Sequence, residues 1–291
     1  MQRQPLSRLT LTTLLVVVTL FSGCSSFRYG DDQFQLVVGT HGKDVMWVPT
    51  KTEIVHHMLK AAAVTKDDLL YDLGSGDGII PIEAARALGV RAHGIEYNKD
   101  LVDLSIRNAK RAGVSHLTSF KQGDIFRENF SDATVVTLYL GENLNIKLKP
   151  ILLSMKPGTR IVSNTFRMGS WEPDGEFRSS NGEAGFLWIV PVNLEGTWEL
   201  KNSNAPNNQM ARLVLRQSKQ LLRGTLTPVD GKPLTIERGR IRGNQLSLEL
   251  VSSTGVVIHT HGILENESLV LYEGRGESSG VKIYAGGRIS R

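Results

Sequence analysis

Two hydrophobic patterns divide the chain near residue 193. Before this point, short apolar runs alternate with segments in which apolar residues recur at helical spacing. After it, short runs of alternating apolar and polar residues are broken by Gly, Asn and Pro, which indicates closely spaced antiparallel strands. The sequence therefore predicts an α/β domain over residues 45–192 and an antiparallel β-domain, either a sandwich or a small barrel, over residues 193–291.

The α/β part has the order of a parallel sheet with crossover helices. The predicted strands are 69–72, 91–96, 117–122, 133–140 and 160–166. The first predicted helix begins after Thr50 and ends near Ala63, and the others are 79–88, 101–112 and 146–155. A last strand over 186–192 is predicted to run antiparallel to the others. Ligands of such sheets bind beyond the carboxyl ends of the strands, so a substrate is expected near residues 140–145.

A glycine-rich turn follows the first of these strands. Its pattern is D-x-G-x-G-x-G, from Asp72 to Gly78. Glycine lets the backbone turn sharply and approach a ligand without a Cβ, and the start of the next helix adds a mild positive pole. A dinucleotide motif would need a third glycine at position 79, which is Ile79 here. The alternative to a cofactor site is a tight turn that binds nothing.

This turn resembles motif I of the class I S-adenosylmethionine (SAM) methyltransferases. The resemblance implies a doubly wound, Rossmann-like sheet with SAM as cofactor. Glu96 agrees with it, because doubly wound folds place a carboxylate at about this interval to bind ribose hydroxyls. The resemblance also places Asp124 on the adenine amino group, where a simple turn cap is the alternative. The candidate cofactor residues are Thr50, Asp72, Gly74, Ser75, Gly76, Gly78, Glu96, Asp124, Ile125 and Leu140.

Thr50 has two interpretations. Thr50 and Glu53 have the spacing of a capping box at the start of the first helix. In SAM methyltransferases a helix and its preceding loop often cover the cofactor from this position, so the resemblance implies a contact between Thr50 and SAM.

Longer segments narrow the resemblance to one branch of the class. DLGSGDGIIPIEAARALGVRAHGIEYN, LVDLSIRNAKRAGV, GDIF and RIVSNTFRMGSWEP are similar to the small mitochondrial lysine methyltransferases that modify ATP synthase and the adenine nucleotide carrier. Secreted bacterial relatives share the pattern, and the similarity covers about Trp47 to Asp174. It implies methyl transfer from SAM to an unidentified protein or small-molecule acceptor, with a protein lysine as one candidate.

The acceptor side has weaker candidates. The chain lacks a prolyl-aromatic catalytic motif after the fourth strand, and Glu142 and Asn143 stand there instead. From position alone, Glu142 is a candidate to orient an acceptor amine or take its proton, and Asn143 to hold it. Trp171, in a loop expected to be exposed, is a candidate apolar wall or cation–π face for the substrate. The alternative is that Trp171 packs the β-domain against the sheet.

Residues 1–24 resemble a bacterial lipoprotein signal peptide. Arg3 and Arg8 precede an apolar run that ends at Cys24, the only cysteine of the chain. The resemblance implies a lipid anchor on Cys24, a location at the periplasmic face of the outer membrane, and a tether over residues 25–44. An ordinary cleaved signal peptide is the alternative.

Composition argues against several other classes of protein. The net charge of +5 is modest for a chain with 22% charged residues, and no block of basic residues alternates with aromatics, so nucleic-acid binding is not expected. His259 and His261 share one face of a strand, but two ligands alone do not make a metal site. The second functional hypothesis is a non-enzymatic envelope lipoprotein that keeps the SAM-binding fold as a binding or structural module.

Overall fold

The computed structural model of the protein describes residues 29–205, 209–229, 231–274 and 280–290. Its first part contains β1 (Tyr29–Gly30), β2 (Gln35–Leu36), α1 (Thr52–Ala61), β3 (Leu69–Leu73), α2 (Ile79–Leu88), β4 (Arg91–Glu96), α3 (Lys99–Arg111), β5 (Thr118–Gln122), β6 (Val135–Leu138), α4 (Glu142–Leu153), β7 (Arg160–Asn164), β8 (Gly175–Arg178) and β9 (Ala184–Ile189). Its second part contains β10 (Gly196–Asn202), β11 (Met210–Ser218), β12 (Leu221–Pro228), β13 (Leu234–Arg242), β14 (Gln245–Val251), β15 (Val257–Glu265), β16 (Ser268–Glu273) and β17 (Lys282–Ser290).

Seven strands form one mixed sheet in the order β5-β4-β3-β6-β7-β9-β8. The first five are parallel, and β9 runs antiparallel to both of its neighbours. The direction of winding reverses between β3 and β6, and doubly wound sheets bind ligands at the carboxyl ends of the strands at such a point. The predicted fold class is confirmed: an α/β doubly wound sheet with a separate antiparallel β-domain.

Apolar clusters cover both faces of the sheet. On one face, buried side chains that include Leu148, Trp171 and Trp188 pack together. On the other face, Val55 and Ala84 belong to the cluster that packs α1 and α2 against the strands. The core therefore fixes the strand ends on which the site is built.

Residues 29–36 pack against α3, although the sequence predicted a tether over residues 25–44. The β1–β2 hairpin places Leu36 in a small cluster with Trp47 and Leu101. The carboxylate of Asp31 accepts hydrogen bonds from the guanidinium of Arg107, with Nε at 2.6 Å from Oδ2. These contacts join residues about 70 positions apart in the chain, and the local sequence pattern could not show them.

The predicted signal peptide and Cys24 lie outside the described residues. Within the ranges that the structure describes, no helix combines the length and the hydropathy needed to cross a membrane. The lipid anchor stays a prediction.

The C-terminal strands form a closed barrel in which β10 to β17 pair in sequence and β17 pairs with β10. Inward-facing side chains alternate with exposed ones and fill the interior, for example Trp198, Leu213 and Leu248. Of the two predicted architectures, sandwich and barrel, the barrel is correct. Closure leaves the domain without an exposed sheet edge.

The barrel is fastened to the α/β domain through the loop between β7 and β8. The ammonium of Lys219 donates to the carbonyl of Ser170 at 2.8 Å, and the guanidinium of Arg240 donates to Asp174 Oδ1 at 2.8 Å. The side chain of Asp174 is almost completely buried, at 1% exposure. The barrel therefore holds this loop in place.

Candidate active site

The turn between β3 and α2 requires glycine because of its backbone conformation. Gly74, Gly76 and Gly78 have φ values of +73°, +54° and +82°, which glycine adopts without the strain of a Cβ. A Cβ on Gly74 would lie 2.3 Å from Leu140, and a Cβ on Gly76 would lie 2.8 Å from the ring of Trp47. Gly74 and Gly76 therefore make room for the side chains of Leu140 and Trp47, and all four residues line a cavity beside the turn.

A cavity opens beside this turn, and we call it the cofactor cavity. All but one of the predicted cofactor residues line it, namely Thr50, Asp72, Gly74, Ser75, Gly76, Glu96, Asp124, Ile125 and Leu140. The exception is Gly78, which precedes α2 and whose Cβ would meet Phe120 and Ser105. Gly78 therefore has a structural role in the turn.

The carboxylate of Glu96 ties the end of β4 to the glycine turn. Oε2 accepts a hydrogen bond from the N–H of Gly76 at 3.0 Å, and Oε1 accepts one from the N–H of Asn98 at 2.9 Å. The side chain is buried and lines the cofactor cavity. Since each carboxylate oxygen has two lone pairs, Glu96 keeps acceptor sites for ribose hydroxyls.

Asp124 caps a turn and also lines the cofactor cavity. The turn-cap interpretation is therefore correct, and the position is also consistent with a contact to adenine. Its Oδ1 accepts the N–H of Phe126 at 3.0 Å, and its Oδ2 accepts the ammonium of Lys43 at 2.9 Å. The Lys43 ammonium is the main reason why the pKa of Asp124 lies below its ordinary value. Lys43 was not predicted, because a cation 81 positions upstream has no motif that connects it to this acid.

Two acids stand beside the turn, the buried Asp72 and the partly buried Asp77. The hydroxyl of Thr137 donates to Asp72 Oδ1 at 2.6 Å. Burial raises the pKa of Asp72 from 3.8 to about 7, and burial also raises the pKa of Asp77. Desolvated carboxylates favour a ligand that brings positive charge or hydrogen-bond donors. Asp77 was not among the predicted residues, although it lies inside the glycine motif and lines the cavity.

Thr50 lines the cofactor cavity and does not cap the helix. Lys51 occupies the N-cap position of α1, with no side-chain capping hydrogen bond. Glu53, the other half of the predicted capping box, accepts the N–H of Ser180 at 2.7 Å. The capping interpretation of Thr50 is therefore wrong, and its position is consistent with a cofactor contact.

A hairpin over residues 39–47, which we call the cover hairpin, closes the cavity from outside. The N–H of Gly39 donates to the carbonyl of Trp47 at 2.9 Å, and the N–H of Trp47 donates to the carbonyl of Thr40 at 2.7 Å. Residues 42–47 line the cofactor cavity. Most of this hairpin was expected to belong to the tether, so a wall of the site was not predicted.

A second cavity, the outer cavity, shares residues 42–46 of the cover hairpin with the cofactor cavity. It is lined by the cover hairpin together with Val48, Tyr139, Leu140, Gly141 and Phe166. Tyr139 and Leu140 line both cavities. The outer cavity lies beside the end of β6, where the rule for doubly wound sheets predicts a substrate, and the lining residues Tyr139 and Phe166 were not predicted.

The predicted catalytic pair does not face either cavity. Glu142 and Asn143 occupy the first turn of α4, and both are exposed. Neither side chain lines the cofactor cavity or the outer cavity. The predicted helix began at position 146, whereas α4 begins at Glu142, and this earlier start directs the two side chains into solvent. We therefore do not assign them a catalytic role.

Trp171 is fully buried, so its prediction as a substrate-facing residue is wrong. It packs against Trp188, with ring centroids 6.2 Å apart, and its carbonyl accepts the indole N–H of Trp188 at 2.8 Å. The loop that carries it lies between the sheet and the barrel. Trp171 has a packing role, but within the apolar cluster on one face of the sheet, whose members do not include barrel residues.

The cofactor cavity fits SAM in its chemistry. The hydroxyl of Ser75 is buried, lines the cavity and has no hydrogen-bond partner among the described residues. Glu96 supplies acceptors for ribose hydroxyls, and the buried Asp72 suits a cationic ligand. Ile125 and Leu140 supply the apolar walls that an adenine ring requires. In the ranges that the structure describes, no group of His, Cys, Asp and Glu is arranged to hold a metal ion.

Comparison with known proteins agrees with this geometry. The family model described as the ANTKMT methyltransferase domain matches residues 72–175. A protein-lysine N-methyltransferase of Saccharolobus islandicus is 41% identical over 151 residues, which are 50% of the chain and 94% of that relative. The chain belongs to the class I SAM-dependent methyltransferases. SAM is therefore the cofactor of this methyltransferase, and the enzymatic interpretation prevails over the non-enzymatic one.

Longer relatives resemble the methyltransferase over part of their length. An ATP synthase lysine N-methyltransferase of Xenopus laevis is 33% identical over 132 residues, which are 45% of the chain and 58% of that relative. The adenine nucleotide translocase lysine N-methyltransferase of Mus musculus is 36% identical over 106 residues, which are 36% of the chain and 46% of that relative. The methyltransferase thus spans about half the length of these two proteins.

Among solved structures, an RNA methyltransferase from Salinibacter ruber in complex with S-adenosyl-L-homocysteine is similar to this chain. It is 49% identical, with a TM-score of 0.49, over 50% of the methyltransferase and 96% of that chain.

Proposed function

We propose that this methyltransferase transfers a methyl group from SAM to the side-chain amine of a protein lysine. The observation that carries the proposal is the outer cavity, which shares Tyr139 and Leu140 with the cofactor cavity. Exposed side chains such as Met46 stand at its rim, so a long side chain enters from the surface. The lysine N-methyltransferase names of the relatives described above support lysine as the acceptor.

The side chains of the protein are proposed to position the methyl donor and the acceptor, and none of them forms a covalent bond in the reaction. SAM, when bound, supplies an electrophilic methyl group on its sulfonium. Glu96 and Ser75 are the groups that would orient it, while Leu140 forms part of the wall on the acceptor side. Holding donor and acceptor in line removes much of the entropic cost of their reaction.

A lysine acceptor must lose a proton before it reacts. Only the neutral amine has a lone pair, and lysine has an ordinary pKa of about 10.4. Val45, Val48 and Phe166 line the outer cavity together with the charged residues Lys43 and Asp44. Glu142 lines neither cavity, so we do not assign it the role of taking this proton.

Methyl transfer to an envelope extract tests the class of acceptor. Purified protein is incubated with methyl-labelled SAM and the extract, which is then divided between protease, nuclease and organic-solvent treatments. We expect a label that only protease releases. A label that nuclease or solvent removes would contradict the proposal and point to RNA or lipid as the acceptor. Glu96→Ala, which weakens cofactor binding, provides the background.

We further propose that Cys24 anchors the enzyme to the cell envelope by a lipid. The support is the apolar run that ends in Ser22-Gly23-Cys24 after two arginines. A fatty-acid probe should label the wild type and not Cys24→Ser. Label on Cys24→Ser would contradict the anchor.

A further inference from the structure

A strained turn ends β7 at the edge of the outer cavity. The N–H of Phe166 donates to the carbonyl of Asn164 at 2.7 Å, and Thr165 between them has a φ of +63°. A three-residue turn with a positive φ at its centre is rare and strained. Among the described residues other than glycine with positive φ, Thr165 is the one with a β-branched side chain, for which this conformation is least favourable.

Several hydrogen bonds hold this turn in place. The N–H of Thr165 donates to the carbonyl of Ala184 at 2.8 Å, which continues the pairing of β7 with β9. The side-chain amide of Asn145 donates to the carbonyls of Phe166 and Arg167, at 3.2 Å and 3.3 Å. Asn145 is fully buried in α4. Thr165 itself is exposed, so packing of its side chain does not explain the strain.

The turn directs the ring of Phe166 to Tyr139, the first residue after β6. The two rings are stacked, with centroids 6.0 Å apart and an angle of 27° between their planes. Both side chains are half-buried and line the outer cavity, and Tyr139 also lines the cofactor cavity. A pair that served only the core would be buried with it, as Trp171 and Trp188 are.

We propose that Tyr139 and Phe166 form the binding site for the acceptor amine, and that Asn145 and the strained turn at Thr165 position Phe166 for this purpose. The inference rests on the proposed function, since it assumes an amine acceptor in the outer cavity. It names the side chains that recognise this acceptor, which neither the sequence motif nor the relatives assign. Asn145 and Thr165 are positioning residues, because they act through Phe166.

Charge explains why aromatic faces are suited to this site. In the transfer, the amine lone pair forms the new nitrogen–carbon bond, the electrons of the carbon–sulfur bond return to sulfur, and the amine releases its proton to water in the outer cavity. Positive charge therefore moves from sulfur to nitrogen as the bond forms. The faces of Tyr139 and Phe166 attract this charge without forming a competing bond to the amine.

Binding of a lysine side-chain mimic tests the site without requiring turnover. The probe is n-butylammonium, titrated by NMR into the purified protein saturated with S-adenosyl-L-homocysteine, and 1-butanol is its uncharged counterpart. The variants are Phe166→Leu and Tyr139→Leu, which remove an aromatic face, and Tyr139→Phe, which keeps it. Phe177→Leu makes the same change on the opposite side of the sheet, where Phe177 packs against the cluster of α1 and α2.

We expect n-butylammonium to bind the wild type more tightly than 1-butanol does. Phe166→Leu and Tyr139→Leu should each lower the affinity for n-butylammonium by about five- to thirty-fold, which is the range expected for loss of a partly desolvated cation–π contact. Tyr139→Phe and Phe177→Leu should stay within about two-fold of the wild type.

Two results would overturn the inference: no binding of n-butylammonium to the wild type, or equal binding to the wild type and Phe166→Leu. The proposed function fails separately. If the probe behaves as expected and methyl label reaches no lysine, the amine site stands and lysine is not the acceptor. If lysine is labelled and Phe166→Leu binds the probe normally, the proposed function stands and this site is wrong.

Discussion

Nζ of Lys43 lies 2.9 Å from Oδ2 of Asp124, so the cover hairpin is fastened to the acid that is expected to bind the adenine amino group. The lysine side chain is 43% exposed and that of Asp124 is 17% exposed. An ion pair in such a position is weak and sensitive to salt. The hairpin is therefore held closed by a contact that the cofactor must share or displace.

Removal of this contact should favour the cofactor. Lys43→Met keeps the length of the side chain, and it should raise the affinity for SAM by about two- to five-fold, since no ion pair opposes the adenine amino group. The gain should shrink as salt is added. Isothermal titration calorimetry at two ionic strengths measures both effects. Lys121→Met, which breaks an exposed pair with Glu128 outside the cavity, is the matched control. Weaker binding to Lys43→Met would show that Lys43 helps to hold the cofactor.

The second prediction concerns Glu96. Glu96→Ala should lower the affinity for SAM by about ten- to a hundred-fold, because hydrogen bonds to a charged group contribute about 1.5–3 kcal/mol. Glu96→Gln retains one acceptor and should lose less. Calorimetry on variants whose thermal unfolding is unchanged separates binding from folding, and Glu176→Gln on the exposed strand β8 is the control. Normal affinity in a folded Glu96→Ala would place the ribose elsewhere.

The third prediction concerns the pH dependence of stability. Burial raises the pKa of Asp72 to about 7, above the ordinary value of 3.8. Between these two values the folded protein holds a proton that the unfolded chain releases, so the free energy of unfolding falls as pH rises through this window. Asp72→Asn lacks the titration and can still accept the Thr137 hydroxyl. Its stability relative to the wild type should therefore increase from pH 4 to pH 8, by about 4 kcal/mol at most.

Urea unfolding of both proteins in the absence of cofactor measures this difference. A constant difference between Asp72→Asn and the wild type across the range would show that Asp72 is ionised in the folded protein throughout.

The fourth prediction separates packing from substrate binding at Trp171. Trp171→Ala removes a fully buried ring and should lower the free energy of unfolding by about 3–5 kcal/mol. Trp171→Phe should recover much of this loss and retain methyl transfer per folded molecule. Thermal unfolding and activity are measured together. A stable Trp171→Ala that binds SAM and transfers no methyl group would restore the acceptor role that the structure removes.

The cofactor half of the site could be predicted because its residues follow strands in a fixed order. Asp72 and Glu96 each end an apolar run, and Asp124 follows another, so parallel pairing alone brings them to one edge. The glycines belong to the same local pattern. Gly74 and Gly76 line the cofactor cavity as predicted, and they also accommodate Leu140 and Trp47, which the sequence did not predict.

The acceptor half depends on contacts that leave no local pattern. The cover hairpin has little periodicity, and its position follows from Trp47 against α3 and from Lys43 on Asp124. Phe166 meets Tyr139 only because a strained turn redirects the chain after β7. Trp171 lies in a loop, and the sequence alone does not show whether a tryptophan in a loop is buried or exposed. The structure shows that it is buried. Each of these contacts joins residues that are far apart in the sequence, so no local pattern predicts it.

The most direct test of the proposed function is the chemical identity of the methylated residue. Purified enzyme transfers label from methyl-labelled SAM to an envelope extract, the labelled protein is hydrolysed in acid, and the amino acids are separated against methylated standards. We expect label in methyl-lysine, present with the wild type and greatly reduced with Glu96→Ala and with Phe166→Leu. Label in any other residue, or no labelled amino acid from a wild-type protein that binds SAM normally, would contradict lysine methylation.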